Sequence, residues 1–178
     1  MIRQRLGKDL LFFDGGMGTL LQEKGLAPGE LPETWNLTHS EEIYKIHRQY
    51  IEAGSDIILT NTFGANALKF HDDSCSLEEI IKAAVSHVKK AEREALLQTG
   101  DERKIYTALD VGPTGKLLKP MGDLEFETAY EAFKEVVILG EQAGADLIHI
   151  ETMSDTYELK AAVLAAKHVS SGICYRNI

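Results

Sequence analysis

Two hydrophobic patterns alternate along the chain. Short runs of consecutive apolar residues are followed by longer stretches in which apolar residues recur three and four apart. The first pattern suits a strand buried on both faces, the second an amphipathic helix. Strands are expected at residues 10–14, 56–62, 104–111 and 146–152, and helices at 40–53, 76–97, 125–143 and 154–168. In the helix after Ser40, residues Ile43, Ile46, Tyr50 and Ile51 share one face; in the next, Leu77, Ile80, Ile81, Ala84, Val88 and Ala91 do. Ser40 and Ser154 read as N-caps, with acidic residues behind them where negative charge suits the helix dipole.

Each expected strand ends on a polar residue: Asp14, Asn61, Asp110 and Glu151. The segment from Glu52 to Ile58 is echoed from Gln142 to Ile148, 90 positions on (142 − 52). Alternating strands and helices imply a parallel sheet with crossover helices. Polar groups at every strand's carboxyl end are what the working rim of a barrel requires, whereas a doubly wound sheet concentrates them at one switch point. An eight-unit barrel takes about 250 residues. The 178 residues therefore read as α/β, the first half of a (βα)8 barrel with four parallel βα units, over residues 1–170. Residues 171–178 read as an atypical tail, either the start of a fifth strand or unrelated sequence. A half-barrel has two open sheet edges, and open edges invite pairing, so a homodimer or a complementing half-barrel is expected.

Composition narrows the partners. A net charge of −9 offers no basic footprint for nucleic acid or an anionic membrane. The 44% hydrophobic content argues against disorder, yet no apolar run approaches the ~20 residues of a membrane span. The first nine residues lack the apolar core of a signal peptide. Cys75 and Cys174 are far apart, which suits a reducing, cytoplasmic setting.

The chemistry gathers at the strand ends. Asp14-Gly15-Gly16-Met17-Gly18-Thr19 brings a carboxylate to a glycine turn whose amides are open to a small anion. His149 lies on the same strand face as Glu151 and reads as a core residue. His47, His87 and His168 fall on helices and read as solvated; Asp56 and Asp146, at the opposite rim, read as structural. Trp35 and Phe63 suit either the pocket mouth or simple packing. His71 and Cys75, four apart, are too few to close a metal site.

Four motifs occur in order: the Asp14 turn, Asn61-Thr62-Phe63-Gly64-Ala65-Asn66, Asp110-Val111-Gly112-Pro113-Thr114-Gly115 and Glu151-Thr152-Met153-Ser154-Asp155. Together they resemble the homocysteine S-methyltransferase family, in particular the homocysteine-binding domain of its cobalamin-dependent branch. The resemblance implies a (βα)8 barrel that methylates homocysteine sulfur to give methionine. It implies Asp14 and Glu151 on the substrate ammonium, Gly15, Gly16, Gly18 and Thr19 at its carboxylate, and Asn61 and Asp110 lining the pocket. It also implies a zinc ion on the substrate sulfur, with methylcobalamin and methyltetrahydrofolate as a possible donor system. The family's zinc ligands are three cysteines of the barrel's second half, including an adjacent pair. No such pair occurs here, so no metal site or cofactor is expected within these residues, and the chain reads as a truncated methyltransferase domain that is inactive in isolation, the alternatives being a non-catalytic dimeric half-barrel that binds a small amino acid or a non-functional truncation product.

Overall fold

The structure is a computed structural model that describes residues 2–70, 75–100 and 102–169 and the backbone of Ile173–Arg176. His71, and with it the His71–Cys75 pairing, lies outside the described residues, as does the side chain of Cys174. Four parallel strands, β1 (Ile57–Leu59), β2 (Tyr106–Val111), β3 (Leu147–Ile150) and β4 (Ile173–Arg176), lie side by side in chain order. The segment expected as an atypical tail thus contributes the strand beside β3.

Ahead of β1 come α1 (Met17–Glu23), α2 (Trp35–Thr38) and α3 (Ser40–Ala53), and between successive strands run α4 (Leu77–Thr99), α5 (Phe126–Ala143) and α6 (Thr156–Val169). Side chains alternate across the sheet as strand geometry requires. On one face Ile58 packs with α3 and α4, and Leu109, Val111, Ile148 and Ile150 pack with α5 and α6. Phe133, Val136 and Val137 of α5 are fully buried there, each contributing roughly 1.5–3 kcal/mol of apolar burial. On the other face Ile57, Tyr106, Ala108 and Leu147 meet Ile2 of a short N-terminal 3-10 helix (Ile2–Gln4), with no described α-helix in that cluster. Sequential strand order with helices on one face excludes a doubly wound arrangement for these residues.

The expected first strand is a correction. Residues 10–14 make only a single bridge, Phe13 with Ile57, so three strand-helix successions are formed rather than four. The ladder is curtailed by side chains. Asp56 Oδ2 takes the N–H of Phe12 at 3.1 Å, and Asp14 Oδ2 takes the N–H of Leu59 at 3.1 Å, where a continuing strand would offer carbonyls. Leu10 is left 82% exposed.

The repeated segment has a physical meaning. Gly54 (φ 111°) and Gly144 (φ 94°) both end their helices in the left-handed region, which glycine enters without a steric penalty. Two residues on, Asp56 and Asp146 each accept a main-chain N–H from the preceding strand segment, Phe12 and Thr107 respectively. Both aspartates are structural, as expected. Helix starts were read less well. Ser40 is already inside α3, and His39 holds the cap position without a side-chain bond. At α6 Asp155, not Ser154, accepts the N–H of Tyr157 at 2.7 Å. Ser76 and Glu79 do form a reciprocal capping box on α4.

Candidate functional site

The carboxyl ends of the strands open into a cavity of about 660 Å³, within the ~300–1,000 Å³ range of small-molecule sites. Its wall includes Asp14, Gly15, Gly16, Gly18, Asn61, Asp110 and Glu151. Thr19 is not part of that wall; it sits exposed on the first turn of α1.

Register explains the convergence. Asp110 pairs with His149 across β2 and β3, so both face the side of the sheet away from the helices. Glu151 follows one step beyond β3, its N–H on the carbonyl of Val111 at 3.1 Å. Thr152 then turns the chain at φ 57°, a left-handed conformation that costs a β-branched residue about 1–3 kcal/mol. That strained turn follows directly on Glu151 at the rim.

The carboxylates differ in their partners. Asp14 spends Oδ2 on Leu59, while Oδ1 is buried with no partner. Burial, with a smaller push from Glu151, raises its pKa to about 7. Asp110 is 6% exposed, and its Oδ1 also lacks a partner. Burial first, then the charges of Glu151, Asp14 and Glu33, holds its carboxyl well above the usual range. Glu151 Oε2 lies 3.6 Å from His149 Nε2. His149 packs its ring against Phe13 at 4.9 Å, and its Nδ1 is buried without a partner. Burial lowers the His149 pKa, and the Glu151 carboxylate opposes that.

Asn61 is committed to structure as well as to the wall. Its amide donates to the carbonyl of Pro32 at 2.8 Å and to Asn36 Oδ1 at 3.3 Å, while Asn36 donates to the Asn61 carbonyl at 2.8 Å. This network ties the Pro32–Thr34 turn to the end of β1. Phe63 lines the cavity, whereas Trp35 packs with Leu21, Ile43 and Ile46 and donates its indole N–H to Glu30 at 2.7 Å.

Sequence reasoning missed two wall residues of consequence, Glu33 and Lys69. Glu33 is 2% exposed; Oε1 takes the Gly64 N–H at 2.5 Å and Oε2 is unpartnered. Lys69 supplies a cation to the wall, 5.5 Å from the Phe63 ring centre. Tyr50, expected on the apolar face of the helix after Ser40, packs against the clusters of Ile51 and Ile46 and also lies over Gly15, where an added Cβ would lie 2.8 Å from its hydroxyl oxygen. The only signal for Glu33 was an acidic residue between Leu31-Pro32 and Trp35. The expectation of solvated helix histidines is corrected at His47, which is fully buried with both ring nitrogens unpartnered and a pKa lowered to about 3 by burial.

Among the described residues no group of three His, Cys, Asp or Glu is arranged to hold a metal ion. The cavity's polar groups are carboxylates, amides, hydroxyls and the Lys69 ammonium, and Cys75 lies outside its wall. This donor set does not fit a thiolate-bound zinc. It fits a small zwitterion: carboxylates for an ammonium, and a glycine turn of exposed backbone at 15–16 for a carboxylate. No described helix is long and apolar enough to cross a membrane.

The profile of the family described as homocysteine S-methyltransferase matches residues 11–176. The methionine synthase of Mycobacterium leprae (strain TN) is 32% identical over 170 residues, 92% of this chain and 14% of that protein. The methionine synthase of Mycobacterium tuberculosis (strain ATCC 25618 / H37Rv) is 33% identical over 168 residues, 91% and 14% respectively. The chain therefore spans about one-seventh of the length of these relatives. The metallated homocysteine methyltransferase MmuM from Escherichia coli superposes with a TM-score of 0.85 at 21% identity, covering 99% of this chain and 66% of that one, a likeness of fold.

Proposed function

The chain belongs to the homocysteine S-methyltransferase family, and we propose that its cavity anchors the amino-acid end of homocysteine. The observation that carries this reading is the unpartnered, buried Oδ1 of Asp14 in the same wall as Glu151 and the glycine turn. A buried carboxylate without a counter-charge costs stability in the empty protein, and an ammonium ligand supplies the missing partner. In this reading Asp14 and Glu151 hold the ammonium, the main chain of Gly15, Gly16 and Gly18 receives the carboxylate, and Asn61 keeps the Pro32–Thr34 wall in place. Thr19 stands at the edge of the carboxylate subsite.

The described residues form one half of a barrel in this proposal, a reading supported by sequential strand order and one-sided helices. Activation of the sulfur belongs to a complementary half, on this or another polypeptide. Bound zinc would stabilise the substrate thiolate there, and no step is assigned to it at this cavity. The methyl-donor system, methylcobalamin or methyltetrahydrofolate, has no residue assigned to it here. Leu10 and Phe12, 82% and 59% exposed beside the Phe13 bridge, form the apolar edge on which a second copy or a complementing half docks.

Calorimetry tests the anchoring role. Homocysteine and methionine should bind with affinities within about threefold of each other, because only their shared amino-acid end is held. Asp14→Ala with Glu151→Gln should abolish both. Absence of binding by either amino acid to the wild-type protein would overturn the proposal.

A further inference from the structure

We infer that Asp110 is held as the neutral carboxylic acid and presents its O–H to the ligand, so that it is a hydrogen-bond donor in the cavity rather than another negative charge. This role deepens the amino-acid reading of the site and rests on it only for the identity of the ligand.

The argument begins with what surrounds the side chain. Asp110 sits in the last turnings of β2, on the sheet face away from the helices. The hydroxyls nearest it are already committed to main chain. Thr60 Oγ1 accepts the Asp110 N–H at 3.2 Å, and Thr62 Oγ1 donates to the Asp110 carbonyl at 2.8 Å. The amide of Asn61 is committed to Pro32 and Asn36. From the segment before α1 comes Asp14, from the Pro32–Thr34 turn Glu33, and from the end of β3 Glu151, all acidic. His149, its register partner, turns Nε2 toward Glu151 instead. Among the described residues the one lysine in the wall, Lys69, is exposed and lies against Phe63.

An ionised Asp110 would therefore be a buried anion among three other carboxylates, with Oδ1 receiving no hydrogen bond. Like charges in one site cannot all ionise, and burial favours the neutral form most where the charge has least hydrogen-bond support. Asp110 is more enclosed than Asp14 or Glu151, and Glu33, deeper still, has the Gly64 N–H on its Oε1. Raised carboxyl pKa values at both Asp14 and Asp110, caused first by burial and then by neighbouring carboxylates, agree with this crowding. The chemical consequence is a cavity with two faces: acceptors at Asp14 and Glu151 for an ammonium, and one acid O–H for an acceptor atom elsewhere on the same ligand.

Infrared difference spectroscopy of the unliganded protein at pH 8 tests the protonation state without any ligand. A protonated-carboxyl C=O band should be present, should disappear in Asp110→Asn and should persist in Asp14→Asn. No band lost in Asp110→Asn would overturn the inference, whether or not homocysteine binds. Calorimetry with homocysteine then tests the donor role. Asp110→Asn, which keeps a neutral donor, should bind within about threefold of wild type, and Asp110→Ala should lose about tenfold, the worth of one hydrogen bond. Equal losses of tenfold or more in both variants would mean that a negative charge is required, and would overturn it. Failure of the wild-type protein to bind homocysteine would count against the amino-acid reading alone, since the infrared band still decides Asp110.

Discussion

Asp14 Oδ2 accepts the main-chain N–H of Leu59 at 3.1 Å, which leaves Oδ1 buried and unpartnered in the cavity wall. One carboxylate thus both ends the ladder between residues 10–14 and β1 and supplies the site with unsatisfied charge.

Asp14 should trade stability for binding. Its folded pKa of about 7 lies above the unfolded value of 3.8, so the folded state binds the extra proton between those values. Its contribution is fully present below about pH 4 and is lost as pH rises through 7, at most about 4 kcal/mol at ~1.4 kcal/mol per unit. Asp14→Asn should therefore unfold at higher urea concentration than wild type at pH 8, with little difference at pH 4, while losing homocysteine binding.

Ligand affinity should follow the same proton. An ammonium binds the ionised form of Asp14, so the association constant measured by calorimetry should fall about tenfold per pH unit below 7 and level off above it. Proton release on binding, read from the buffer dependence of the heat, should accompany it at pH 6.

His47 should give the opposite stability profile. Its folded pKa of about 3 is below the ordinary 6.5, so the unfolded chain binds more protons in that window. Stability should fall as pH drops from 6.5 toward 3. His47→Leu should remove that acid sensitivity. It should also be neutral or stabilising at pH 7, because no hydrogen bond to either ring nitrogen is lost. Urea melts of the variant at pH 4.5 and 7 check this.

Gly112 keeps a cavity wall in place. A Cβ there would lie 2.5 Å from Phe63 Cε2, and the Gly112 N–H bonds the Phe63 carbonyl at 3.0 Å. Gly112→Ala should cost about 1–3 kcal/mol and weaken ligand binding. Adding Phe63→Ala should recover part of the stability, a coupling that a double-mutant cycle measures.

The exposed edge should drive association. Phe12→Lys places a charge on the segment where Leu10 and Phe12 face solvent. Light scattering should find the wild-type chain dimeric at micromolar concentration and the variant shifted to monomer. A wild-type chain that is monomeric throughout would remove the dimer from the proposal.

Much was legible in the residues because it depends on local periodicity. The faces of α3 and α4, and the continuous apolar runs of β2 and β3, follow from spacing alone. The polar strand ends were legible for the same reason. A carboxylate closing an apolar run must lie at a rim, and Asp14, Asn61, Asp110 and Glu151 do line one cavity. Capping was less legible, since Ser40 and Asp155 compete with neighbours that only three-dimensional packing ranks.

By itself, then, the order of residues determined the α/β class, the repeat that contains Asp56 and Asp146, and which end of the sheet carries the polar groups. These follow from side-chain alternation and helical period, both set within a few residues. Tertiary structure alone decided that residues 10–14 form a bridge and not a strand, that Glu33 enters the wall, that Glu158 is buried to bind Thr114, and that His47 is enclosed. Each depends on what a distant segment offers: the N–H of Leu59 for Asp14, that of Gly64 for Glu33, that of Thr114 for Glu158. A hydrogen-bond partner 31 to 45 positions away leaves no local period to read.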